Sequence, residues 1–145
     1  MYRRILLAYD GSAAGQKALL DCHEIAEWSH ASLTLIAVMA LPLVTLWPES
    51  GVYDETVQNA EKQRYQAILD DGVRRLADAG LTVRGEVVIG DAVTEIANAS
   101  TRIEADLIVV GHKHLDGWAA RWWRGSVSKA LIEQAPCSVL VVITR

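Results

Sequence analysis

Residues 107–127 read LIVVGHKHLDGWAARWWRGSV, and the fold of the chain follows from how this stretch is parsed. A short apolar run, Leu107-Ile108-Val109-Val110, stops at Gly111, and fourteen residues later Gly125-Ser126 opens a stretch with helical apolar spacing. An apolar run of this length bounded by glycine is the pattern of a buried strand, and Gly-Ser before a periodic segment is a helix start. The stretch therefore predicts a strand, a long loop and a helix N-terminus. In a parallel α/β sheet, ligands sit beyond the carboxyl ends of the strands, and the unpaired N–H groups of a helix N-terminus attract an anion such as phosphate. This loop is the candidate site.

Strand and helix signals alternate on either side of it. Residues 4–9 form a continuous apolar run, as in a strand covered on both faces, and stop at Asp10-Gly11-Ser12. From 13 to about 28, Ala18, Cys22, Ile25 and Ala26 share one helical face, with Ser12 placed as N-cap. Residues 32–38 give a second strand. Pro42, Trp47, Pro48 and Gly51 break periodicity over 40–55, the longest loop, which suits a flap over a ligand. A long amphipathic helix follows over 54–79 with Gly80 as its C′ glycine. In the third strand Val83, Val87 and Ile89 alternate with Arg84, Glu86 and Val88, the most polar pattern of the set, which assigns it to an edge. Asp91 then caps a short helix carrying Val93, Ile96 and Ala97.

A helix over 126–134, with Val127, Ala130 and Leu131 on one side, is stopped by Pro136, and Val139-Leu140-Val141-Val142-Ile143 closes the chain. Five strands separated by helices require right-handed βαβ crossovers, hence a single doubly wound parallel sheet with helices on both faces, in one α/β domain over 1–145. The last strand is apolar at every position. At an edge it exposes an unpaired backbone ladder, which pairing with the same strand of a second copy would satisfy, so a homodimer through Val139 to Ile143 is expected; a central position would need no partner.

With 145 residues and a net charge of −4, the chain has room for one buried core and no basic excess for nucleic acid or an anionic membrane surface. There is no signal-like segment and no run of 18 apolar residues, so a soluble cytoplasmic protein is expected. Cys22 and Cys137 form neither a CxxC pair nor a disulfide framework and read as reduced, partly buried thiols. The P-loop, G-x-G-x-x-G and G-x-S-x-G patterns are absent. His112-Lys113-His114 with Asp116 is the one arrangement with metal-ligand character. Alternating histidines around a lysine fit a solvated or phosphate-facing loop better, and no metal is expected.

The first turn ILLAYDGS, the Gly90-Asp91 pair, IVVG at 108–111 and GSVSKALIEQAPCSVLVV at 125–142 resemble the universal stress protein family, in the right order over nearly the whole chain. The resemblance implies a Rossmann-like or flavodoxin-like fold that dimerises through its C-terminal strand. It also implies ATP or another adenine nucleotide, with or without Mg, held by a G-2x-G-9x-G-[ST] motif. Carried over residue by residue, Asp10 would serve adenosine, Val38 would meet adenine, Gly111 is the first glycine, and Gly125, Ser126 and Val127 form the phosphate-binding helix start.

One position departs from the motif. His114 stands where the second glycine belongs, and ten residues instead of nine separate it from Gly125. A glycine lets backbone approach phosphate or adopt a positive φ, whereas a Cβ and imidazole crowd that space. Binding survives if Gly117 takes over the turn or if His112, Lys113, His114, Arg121 or Arg124 bond the phosphates. If it is lost, a dimeric stress-related interaction module without a cofactor remains. The resemblance implies a regulatory protein and not an enzyme, with weak or absent ATP hydrolysis at most; a hydrolase or nucleotidyltransferase has least support, since no HxGH follows the first strand and no carboxylate pair for Mg is evident. Asp10 and Ser126 also have purely structural readings as turn and helix caps. Trp118, Trp122 and Trp123 either pack the loop onto the domain or form a stacking or partner patch.

Overall fold

A computed structural model describes residues 1–40, 55–113 and 127–144. The elements are β1 (Arg4–Ala8), α1 (Ala13–Ser29), β2 (Ser32–Met39), α2 (Glu55–Asp78), β3 (Val83–Ile89), α3 (Ala92–Arg102), β4 (Leu107–Lys113), α4 (Val127–Gln134) and β5 (Ser138–Thr144). All strand pairs are parallel, in the order β3-β2-β1-β4-β5. The doubly wound α/β sheet expected from the alternation is what the chain forms.

The continuous apolar runs are explained by two cores. Ile5, Leu7, Leu107 and Val109 face one, shared with Ala18 and Cys22 of α1 and Leu69 and Leu76 of α2. Leu6, Ile108 and Val110 face the other, with Ile96 of α3 and Leu131 of α4. Alternate side chains point to opposite faces, so a strand sandwiched by helices must be apolar at every position. Ile5, Leu6 and Leu7 are fully buried, each contributing roughly 1.5–3 kcal/mol of transfer free energy.

The helix ends follow their sequence signals. Ser12 caps α1, accepting from the Gly15 N–H at 3.1 Å. Asp91 caps α3, accepting from the Thr94 N–H at 3.0 Å and its hydroxyl at 2.9 Å, and these bonds hold its carboxyl below the usual range. Gly80 follows α2 with φ 87°, as its C′ position demands.

Two local expectations need correction. β4 does not end at Gly111 but continues through it, pairing Gly111 with Val142 and Lys113 with Thr144. A glycine interrupts a strand only when its conformation does, and here the backbone stays extended. In α4 the buried residues are Ser128 and Leu131, while Val127 is 41% exposed, because it sits in the first turn at the rim of a cleft. In α3 the deepest residues are Ile96, Ala99 and Ser100, with the Ser100 hydroxyl satisfied by donating to the Ala97 carbonyl at 2.7 Å.

β3 lies at one edge, as its polarity required, and β5 lies at the other. Among the described residues no helix is long and apolar enough to cross a membrane. Both cysteines are free; Cys22 is fully buried instead of partly so, and burial, with Asp21 nearby, pushes its thiol up to about 12. The thiolate is the reactive form, so Cys22 should resist alkylation in the native protein at neutral pH and react only on unfolding. Mass spectrometry after a timed iodoacetamide pulse checks this; labelling of Cys22 as fast as that of an unfolded control would contradict it.

Candidate functional site

The strand order places the point where successive strands switch from one side of β1 to the other between β1 and β4, and the crevice of such a sheet opens there, outside the carboxyl ends of the strands. A cleft of about 240 Å³ occupies that position. Its walls are Ala8 at the end of β1 with Tyr9 and Asp10 after it, Ile36 and Val38 of β2, Val110 and Gly111 of β4, and the helix residues Gly15, Ala92, Ile96, Val127 and Ser128. The first turns of α1, α3 and α4 thus all open onto one space, and each brings the partial positive charge of unpaired N–H groups.

Asp10 is set by its own turn. Its Oδ1 accepts from the Ser12 N–H at 2.9 Å, an Asx turn made possible by Gly11 at φ 76°. Gly15 is the residue that leaves it room, since a Cβ there would lie 2.8 Å from the same oxygen. The side chain of Tyr9 turns the other way, into the α1–α2 side. Its hydroxyl accepts from Gln16 Nε2 at 2.6 Å, Gln16 Oε1 accepts from Arg75 at 3.1 Å, and Arg75 Nε pairs with Asp71 at 3.0 Å. Burial raises the Tyr9 phenol, with the Arg75 guanidinium opposing, so it stays a neutral hydrogen-bonding clamp between β1 and α2.

Opposite Asp10 the cleft is apolar. Ile36 and Val38 lie two apart on β2 and so share a face, and Ile96 and Val110 belong to the same core cluster. The described lining is below the ~300–1,000 Å³ of drug-sized ligand pockets and suits the planar base of a nucleotide, with one carboxylate beside it for hydroxyl donors. Among the described residues no group of three or more His, Cys, Asp or Glu is placed to hold a metal ion.

Gly111 has a packing role. A Cβ on it would overlap the Ala14 carbonyl and lie 2.9 Å from the Gly15 nitrogen, so its absence lets β4 pass directly under the first turn of α1. Of the residues singled out from sequence, Asp10, Val38, Gly111 and Val127 come together in the cleft. His112 is half-buried in register with Ile143 of β5 and is not part of the lining. His114, Gly125 and Ser126 lie outside the described residues, as do Gly117, Arg121, Arg124, the three loop tryptophans and the segment expected to form a flap.

Sequence reasoning missed Ile36, Ala92, Ile96 and Val110. Period two from Val38 would have added Ile36, and the first turn after the Asp91 cap would have added Ala92. Gly15, distant from Asp10 only by a helix turn, carried no recognisable signal.

An α/β sheet with a base-sized slot and an aspartate at its switch point is a Rossmann-like architecture. The chain belongs to the universal stress protein family, whose model matches residues 1–142. It is 27% identical to the universal stress protein YxiE of Bacillus subtilis over 98% of this chain and 99% of that one. Among solved structures it is similar to a universal stress protein family member from Burkholderia pseudomallei, with a TM-score of 0.77 and 26% identity, covering 97% and 96% of the two chains. It shares the fold of a universal stress protein in complex with cAMP, with a TM-score of 0.74 and 22% identity over 99% of both chains. The same holds for an Arabidopsis thaliana family protein with AMP bound, at a TM-score of 0.71 and 16% identity over 99% and 92%.

Proposed function

We propose that this chain is a regulatory protein that binds an adenine nucleotide at the carboxyl ends of β1 and β4. The observation that carries the proposal is the pairing, in one cleft, of the apolar slot between Val38 and Val110 with the Asp10 carboxylate held by the Ser12 N–H. Adenine stacks into the slot, ribose hydroxyls donate to Asp10, and the phosphates extend toward the start of α4, where Val127 lines the rim and Gly125, Ser126 and His114 are the candidate contacts. Family structures carrying cAMP and AMP support an adenine ligand. ATP, with or without Mg, belongs to the same class. Among the described residues Asp10 is the sole carboxylate in the lining, which supports binding over hydrolysis. Such a role suits the cytoplasm.

Calorimetry with AMP, cAMP and ATP tests the proposal: saturable binding of at least one, weakened by Asp10→Ala, is expected. No heat and no thermal stabilisation with any of them at millimolar concentration would overturn it. A second reading, a dimeric module without nucleotide, is favoured by Gly111, whose packing against Ala14 requires glycine whether or not phosphate binds. The same panel separates the two.

We also propose that two copies pair through Val139 to Ile143. β5 is bonded to β4 on one side only and ends the sheet, with Ile143 52% exposed beside the open ladder. An apolar edge of this kind is normally covered. Ile143→Lys should convert a dimer to a monomer in sedimentation velocity while leaving the far-UV circular dichroism unchanged, because the side chain supports little of the subunit's own core. An unaltered dimer would remove this strand from the interface.

A further inference from the structure

The opposite end of the sheet, below the amino ends of β1, β2 and β3, holds a second cleft of about 550 Å³. Three guanidiniums converge on it from three elements: Arg4 of β1, Arg84 of β3 and Arg102 of α3. Among the described residues Glu86 is the one carboxylate in the lining. Two of the arginines are pre-positioned. Arg4 is held by Glu104, through a 3.0 Å ion pair and a 3.2 Å bond from Nε to the Glu104 carbonyl. Arg102 forks onto both oxygens of Glu86. Arg84 has no ion pair or hydrogen bond among the described residues, and Thr34, directly beside it in register, brings a hydroxyl into the same lining.

Charges on β3 also blunt an edge strand, but that purpose does not explain Arg4 on the central strand or Arg102 on a helix. With Arg4 paired to Glu104 and Arg102 to Glu86, a chain of net charge −4 carries here, among the described residues, the one uncompensated positive charge of Arg84, at the end of the sheet opposite the β1–β4 cleft. Guanidinium forks with adjacent hydroxyls recognise oxyanions, and the volume lies within the ~300–1,000 Å³ of small-molecule sites. Ile103 adds apolar wall, which an inorganic ion would leave unused.

We infer that this cleft is a second binding site, for a small organic oxyanion carrying phosphate or carboxylate groups. Arg84 supplies the free charge, Arg4 and Arg102 the fixed ones. It is independent of the adenine cleft.

The test is an amide ¹⁵N titration of the full chain with pyrophosphate and, separately, citrate. Saturable shifts at Thr34, Arg84 and Gly85, distinct from those at Gly11 and Gly111, are expected with one or both probes, and which probe acts identifies the group recognised. The double variant Arg4→Gln, Arg84→Gln should weaken that response by about tenfold or more with its remaining spectrum intact, whereas Asp10→Ala should leave it unchanged. Absence of saturable shifts around Arg84 with both probes, or shifts that persist in the double variant, would overturn the inference.

Discussion

Gly111→Ala should lower the melting temperature of the ligand-free protein by on the order of 10 °C, the largest effect expected of a methyl group added at any described glycine. The new Cβ would coincide with the carbonyl of Ala14 and crowd the Gly15 nitrogen, and both are backbone atoms in the first turn of α1. A side chain could rotate away, but a helix turn cannot. Relief would require α1 to slide outward, withdrawing Ala18, Leu19 and Cys22 from a core in which all three are buried. Overpacking of this kind costs about 3 kcal/mol, and in a domain of this size each kcal/mol moves the midpoint by roughly 2–4 °C. Gly80→Ala is the contrast. At Gly80 a Cβ meets nothing within 4 Å and only the positive φ of 87° opposes it, so about 1 kcal/mol is expected. Thermal denaturation of both variants without nucleotide checks the ranking. A Gly111→Ala protein as stable as the parent would mean that the glycine is kept for phosphate alone.

Val38→Trp should abolish nucleotide binding in a folded protein. Val38 is half-buried at the carboxyl end of β2 with its side chain in the lining of the cleft, so an indole would occupy the space assigned to the base. A ligand at about 100 times its Kd stabilises the native state by roughly 2.7 kcal/mol, some 5–10 °C here. That increment should be present in the parent, absent in Val38→Trp, and reduced in Asp10→Ala, which removes hydroxyl acceptors but leaves the slot open. Differential scanning fluorimetry with and without nucleotide measures all three. Undiminished stabilisation of Val38→Trp would show that the base lies elsewhere.

Much of the fold was legible because the signals are local. Unbroken apolar runs at 4–9 and 107–110 reported strands with helices on both faces, and Ser12, Asp91 and Gly80 marked helix ends through bonds made within a few residues. The polar alternation of Arg84 and Glu86 by itself assigned β3 to an edge, where it lies. The site was legible in part. Asp10 and Val38 were reached through their resemblance to a family motif, and the cleft does bring them together with Gly111 and Val127. His112, adjacent to Gly111 in the chain, belongs to the same motif region yet falls outside the lining, one residue further along β4 in register with Ile143.

Taken alone, the amino-acid order determined which segments are strands and helices, how they are capped, and that the sheet is parallel and covered on both faces, since each of these follows from spacing and turn chemistry along the chain. Only the tertiary structure decided that β4 runs on past Gly111, that this glycine exists to admit the backbone of Ala14, that β5 ends the sheet, and that Arg4, Arg84 and Arg102 share a cleft. Those facts depend on how closely segments far apart in the chain approach one another, and periodicity within a segment carries no measure of that distance.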